Sequence, residues 1–81
     1  MGKITITGLS LETNENDLKE AFIKFGEIIE IKIPLDKKTN KPKGLGFIIF
    51  KTEEGSSNAS TEMDGVDLNG KEITVNIALG K

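Results

Sequence analysis

The sequence predicts an α+β fold of order β-α-β-β-α-β, a four-stranded antiparallel sheet with two helices on one face. Three observations predict it. Alternating β-branched residues recur at 4–7, 28–33 and 73–77, and an apolar run fills 45–50. Segments of helical character follow the first and the third of these strands. Glycine, proline or asparagine punctuates every junction. The 81 residues suit one domain, 1–81, and not two.

Ile4 and Ile6 alternate with Thr5 and Thr7, the pattern of a half-buried strand, and Gly8-Leu9-Ser10 breaks it. Thr13 or Asn14 caps the first helix. Its apolar positions Leu18, Ala21, Phe22 and Phe25 fall at i, i+3, i+4 and i+7 on one face. Glu15, Asp17 and Glu20 sit early, where the helix dipole favours acids, and Gly26 stops the helix. Ile28, Ile31 and Ile33 form a second strand that Pro34 ends or confines to a sheet edge. Residues 36–42 make a polar, lysine-rich loop with a turn at Thr39-Asn40. The third strand, Leu45 to Phe50, is apolar on both faces.

The second helix, Thr52 to Met63, is rich in serine, threonine and glycine, and only Ala59 and Met63 make an apolar stripe. Serine at a helix–sheet contact forfeits on the order of 2 kcal/mol relative to a leucine-sized side chain. Asp64-Gly65 and Asn69-Gly70 mark turns, and Ile73, Val75 and Ile77 point inward from a last strand. Together these elements compose the ferredoxin-like βαββαβ sandwich, with one sheet face left open.

Composition narrows the function. Charged residues make 30% of the chain and apolar residues 36%, as in a folded domain. No apolar run approaches the roughly 20 residues of a membrane span, and the first residues lack a secretory hydrophobic stretch. An intracellular protein is expected, in nucleus or cytoplasm alike. Cysteine and histidine are absent, which excludes disulfides, the usual zinc sites, catalytic triads and imidazole bases. No enzyme, metal or cofactor is expected.

Glu53-Glu54 fits a helix N-terminus better than a catalytic pair. Asp64, Asp67 and Asn69 lack the calcium-loop spacing. Gly44-x-Gly46 does not open a helix as a phosphate loop does. Asn58-Ala59-Ser60 is a formal glycosylation acceptor without a secretory context.

The net charge is −2, yet it is unevenly placed. Residues 32–51 hold six lysines and one acid, whereas the remainder holds five lysines and twelve acids. A basic stretch on an acidic domain marks where phosphates would be met. With no arginine in the chain, bidentate guanidinium contacts are unavailable.

Lys43-Gly44-Leu45-Gly46-Phe47-Ile48-Ile49-Phe50 resembles the RNP octamer of the RNA-recognition-motif (RRM) family, with Leu45 where an aromatic is usual. Ile4-Thr5-Ile6-Thr7-Gly8-Leu9 is similar to the family's hexamer, with Thr5 in place of its aromatic and Gly8 in place of its asparagine. Phe25-Gly26-Glu27-Ile28, Asp36-Lys37-Lys38-Thr39, Met63-Asp64-Gly65 and Asn69-Gly70-Lys71-Glu72-Ile73 extend the resemblance almost end to end. Ile31-Lys32-Ile33-Pro34 and the short chain look like both bacterial single-domain members and nucleolin-like repeats. A stand-alone protein and a domain of a larger one are therefore both expectations.

The resemblance implies single-stranded RNA, or single-stranded DNA, laid across the open sheet by a monomer. The stacking positions it carries over are Thr5, Leu45 and Phe47, of which Phe47 alone is aromatic. Binding is accordingly expected to be weak or of low specificity, since each stacked base is worth roughly 1–3 kcal/mol. Strand alternation adds Thr7, Lys32, Thr74 and Asn76 to the same face, and turns Gly46, Ile48 and Phe50 toward the helices. Gly46 is expected to let a helix approach the sheet. Lys37, Lys38, Lys41 and Lys43 would hold phosphates; their blander role is to solvate a turn. The alternative function is a protein-interaction domain using the apolar patch Leu45/Phe47/Ile49.

Overall fold

The computed structural model describes residues 1–41 and 44–78. β1 (Gly2–Thr7) alternates as its side chains dictate, with Ile4 and Ile6 fully buried and Thr5 half-buried on the other side. α1 (Glu15–Phe22) begins at Asn14, whose side chain accepts the Asp17 N–H at 2.9 Å while the Asp17 carboxylate accepts the Asn14 N–H at 3.3 Å. This reciprocal box satisfies two N–H groups that the helix cannot. The predicted stripe is shared between two elements: Leu18 and Phe22 bury from α1, and Phe25 belongs to a 3₁₀ turn, Ile23–Phe25.

β2 (Ile28–Lys32) contains a bulge between Ile28 and Glu30. The extra residue explains why Ile28 and Ile31, three apart, both pack against the core while Ile29 is exposed. β3 (Leu45–Phe50) buries Gly46, Ile48 and Phe50 and leaves Leu45, Phe47 and Ile49 half-buried on the opposite face.

α2 (Glu53–Met63) is capped by Thr52, whose hydroxyl accepts the Gly55 N–H at 3.1 Å. It buries Gly55 and Ser56 besides the expected Ala59 and Met63. β4 (Asp67–Leu68) and β5 (Lys71–Glu72) form a short hairpin that alternation does not reveal. Asn69 and Gly70, at φ 54° and 85°, supply the two left-handed residues that a tight hairpin turn requires. β6 (Thr74–Ala78) completes an antiparallel sheet of order β2-β3-β1-β6.

The core lies between sheet and helices, with Ile4, Ile6, Ile48, Phe50 and Val75 meeting Leu18, Phe22, Ala59 and Met63. The outer edge of β6 is closed from α2 and the residue after it. The Asp64 carboxylate accepts the Val75 N–H at 3.0 Å, and the Ser60 hydroxyl donates to the Val75 carbonyl at 3.4 Å. Such capping of an edge strand discourages pairing with another chain.

Two expectations are corrected. Ile77 is 45% exposed, because near the end of β6 it borders a groove lined by small or terminal residues, Met1, Gly2 and Ser56 among them. Gly46 makes room for no helix. A Cβ there would lie 2.9 Å from the Lys32 carbonyl and 3.4 Å from the Ile33 and Leu9 side chains, so the glycine admits the end of β2 and the chain leaving β1.

Ser56, where no large side chain stands, is buried close against β1. A Cβ on Gly2 would overlap the Ser56 side chain and lie 3.0 Å from the Glu53 Cα, so α2 sits directly on β1. The Ser56 hydroxyl donates to the Glu53 carbonyl at 2.8 Å, which removes the cost of burying it.

Candidate nucleic-acid interface

The register of the sheet fixes which side chains share the face without helices. Lys32 on β2 opposes Phe47 on β3, Phe47 opposes Thr5 on β1, and Thr5 opposes Asn76 on β6. Lys32, Phe47, Thr5 and Asn76 thus form one row across all four strands. On one side of it runs a second row, Leu45, Thr7 and Thr74. On the other runs a third: Glu30, Ile49, Lys3 and Ala78. Seven of the expected contact residues are brought together here: Leu45, Phe47, Lys32, Thr5, Thr7, Thr74 and Asn76.

The loop lysines lie apart from these rows, between β2 and β3. Lys37, Lys38 and Lys41 are all exposed. Asp36 organises the turn that carries them. Its carboxylate accepts the N–H groups of Lys38 at 2.7 Å and Thr39 at 3.2 Å, and its carbonyl accepts that of Asn40 at 2.7 Å. The Lys41 carbonyl closes the loop by accepting the Asp36 N–H at 2.7 Å, with Asn40 left-handed at φ 63°. A cation-bearing turn held by its own backbone presents charge at a fixed place beside the strands. Lys43, also expected to hold phosphate, lies outside the described residues.

Two members of the face are additional to those expected. The Lys3 ammonium sits 4.3 Å from the centre of the Phe47 ring. A cation over an aromatic face at an exposed site is worth about 0.5–1 kcal/mol. The signal for it was in the sequence, since alternation that places Thr5 and Thr7 outward also places Lys3 there. Glu30 is the second, with its carboxylate 3.6 Å from the Lys32 ammonium. Both partners are largely solvated, so the pair contributes little to stability. It links Lys32, in the row of Phe47, to Glu30 in the neighbouring row.

The remaining polar clusters have structural employment. Asn69 donates to the Thr13 hydroxyl at 3.0 Å and to the Asp17 carboxylate at 3.1 Å, tying the β4–β5 hairpin to the start of α1. Asp64 is the cap on β6 already described. Among the described residues, no three His, Cys, Asp or Glu side chains gather where a metal ion could be held. None of the described helices is long and apolar enough to cross a membrane.

A sheet face left uncovered among the described residues, with one aromatic among polar and cationic side chains and a basic turn beside it, is the architecture of a family of nucleic-acid-binding modules. The family model for the RNA recognition motif matches residues 4–74, and the chain belongs to that family. It is 43% identical over 76 residues to glycine-rich RNA-binding protein 4, mitochondrial, of Arabidopsis thaliana, covering 94% of this chain and 56% of that protein. Identity is 44% over 79 residues to the organelle RRM domain-containing protein 1, chloroplastic, of the same plant, covering 98% of this chain and 21% of that protein. The chain therefore spans little more than half of the first relative and a fifth of the second.

Among solved structures, the second RRM domain of yeast poly(U)-binding protein superposes with a TM-score of 0.88 at 26% identity, covering 100% of this chain and 98% of that one. A chain in a Sxl-lethal protein/RNA complex superposes with a TM-score of 0.88 at 26% identity, over 94% of this chain and 47% of that one.

Proposed function

We propose that the chain is a single RNA-binding domain, an intracellular module without enzymatic activity that takes a short single strand of RNA across its open sheet. The observation that carries this reading is the row Lys32–Phe47–Thr5–Asn76, which sets one stacking ring among polar side chains on a face that none of the described helices covers. Membership of the RNA recognition motif family and relatives named as RNA-binding proteins support it. Phe47 stacks a base. Thr5, Thr7, Thr74 and Asn76 offer hydroxyl and amide groups to bases and sugars. Lys32 and the turn lysines Lys37, Lys38 and Lys41, with Lys43, meet phosphates. Single-stranded DNA would stack in the same way. The 2′-hydroxyl is a handle by which the face would distinguish RNA.

One ring in place of several makes the binding weak, on the order of 1–3 kcal/mol poorer for each base left unstacked. Docking of a protein on Leu45, Phe47 and Ile49 has less support. These side chains are half-buried, and the patch is broken by the Lys3 ammonium over Phe47.

An NMR titration with a mixed-sequence RNA oligonucleotide tests the proposal. Shifts centred on Phe47, Thr5 and the 37–43 turn, weakened by salt, are expected. No shifts at low salt would overturn it.

A further inference from the structure

Phe47 does not present a bare ring. The Lys3 ammonium lies over it, 4.3 Å from the ring centre. Lys3 belongs to β1 and to the neighbouring row, where its cross-strand partners are the apolar residues Ile49 and Ala78. The acid of that row, Glu30, is engaged with Lys32 at 3.6 Å. Among the described residues Lys3 forms no salt bridge, and the Phe47 ring is where its cation rests.

Aromatic rings in stacked or tilted contact set their centres roughly 4.5–7 Å apart. An ammonium 4.3 Å from the Phe47 centre therefore stands in the volume that a stacked base would fill. Phe47 is half-buried on the sheet, which limits what other ring surface a base could reach. Cation and base thus compete for the ring. The competition depends on no particular base and no particular direction of the strand, because it concerns only who occupies that face.

We infer that Lys3 is a further residue of the binding site: its ammonium covers Phe47 in the free chain, and a base gains the ring only by displacing it. The inference rests on the RNA-binding reading above. Stacking on Phe47 is thereby discounted by the strength of the cation–ring contact, about two- to fivefold in affinity for an exposed pair. The charge of Lys3 acts the other way, since it favours RNA at low salt. Salt separates the two effects. At about 1 M, where the Debye length is about 3 Å, the attraction to phosphates is largely screened and the cover remains.

The test uses the intact chain and a mixed-sequence RNA oligonucleotide. NMR first reads the ε-methylene protons of Lys3, which lie above the ring beside the ammonium. In the free chain they are expected upfield of those of the other lysines, and Phe47→Leu should return them to the ordinary position. Saturating RNA should do the same in wild type while the Phe47 resonances shift. Affinities of wild type, Lys3→Thr and Lys3→Arg are then extrapolated to about 1 M salt. Threonine keeps a strand-forming residue that cannot reach the ring; arginine keeps a cation over it. Lys3→Thr is expected to bind about two- to fivefold more tightly than wild type there, and Lys3→Arg no more tightly. A lysine that served only as a phosphate contact would make Lys3→Thr equal or weaker at every salt concentration.

Lys3→Thr no tighter than wild type at high salt would overturn the inference. So would Lys3 resonances that lie with those of the other lysines in the free chain, or that stay upfield while RNA shifts Phe47. In each of these cases the RNA-binding reading stands. No binding at low salt would remove that reading and the inference together.

Discussion

Phe47 and Phe50 stand three residues apart on one strand and face opposite ways. Phe50 is fully buried against the helices, whereas Phe47 is half-buried on the open face with a lysine ammonium above it. Their side chains are identical, so the contrast lies in what surrounds each ring. Inside, the ring belongs to the apolar core and contributes burial. Outside, the neighbours are Thr5, Lys32 and Lys3, and the ring is available for stacking. Under the proposed function one strand serves stability through Phe50 and recognition through Phe47, and the outward ring can be altered with little effect on the core.

Truncation separates the two roles most sharply. Phe50→Ala should destabilise the fold by about 3–5 kcal/mol, read from urea or thermal unfolding. In a domain of this size that is most of the available stability. Phe47→Ala should leave the unfolding midpoint nearly in place and weaken RNA by roughly 1–3 kcal/mol. Measured side by side, only Phe47→Ala should weaken RNA binding without lowering the unfolding midpoint.

A second perturbation acts only on the inner side. Ser56→Leu would restore a large aliphatic at the helix–sheet contact, yet α2 rests where Gly2 has no side chain. Overpacking of that kind should cost about 1–3 kcal/mol. A stabilised Ser56→Leu variant would show that the close approach of α2 to β1 has been misread.

The outer side has its own electrostatic variant. Four phosphate contacts from Lys37, Lys38, Lys41 and Lys43 would give a slope of log affinity against log salt of roughly −3. Replacing Lys37 and Lys38 by glutamine should make it shallower by roughly 1.4 if both meet phosphate. Melting should not change, since both side chains are exposed. The smallest effect expected is that of Thr52→Ala, which removes the α2 cap and should cost about 1 kcal/mol of stability with RNA binding unaltered.

The architecture was legible because the four strands of the main sheet and α1 announce themselves by period, apolar run and punctuation. Ile4 and Ile6, Leu18 and Phe22, and Gly46, Ile48 and Phe50 all face as alternation or helical spacing requires. Less legible were features that arise only when elements meet. The bulge in β2 is visible afterward in the three-residue spacing of Ile28 and Ile31, but the period alone does not say which residue is extra. β4 and β5 have two residues each, too few for a pattern, and only the Asn69-Gly70 turn betrays them. The pairing of Gly2 with Ser56 joins residues far apart in sequence, so a helix weak by composition packs closely in fact.

At the candidate site, membership of the face followed from alternation, but the contact between Lys3 and Phe47 did not. Lys3 pairs with Ile49 and reaches Phe47 diagonally, through the length of its side chain.

The most direct test of the division between the two faces is Phe47→Leu, which keeps an apolar side chain on β3 and removes only the ring. RNA affinity and melting temperature would be measured on the same preparation. The expected result is a loss of RNA affinity of several-fold or more with a melting temperature within a few degrees of wild type. Unchanged affinity, or a loss that merely follows a collapse in melting temperature, would contradict the assignment of Phe47 to recognition and not to the core.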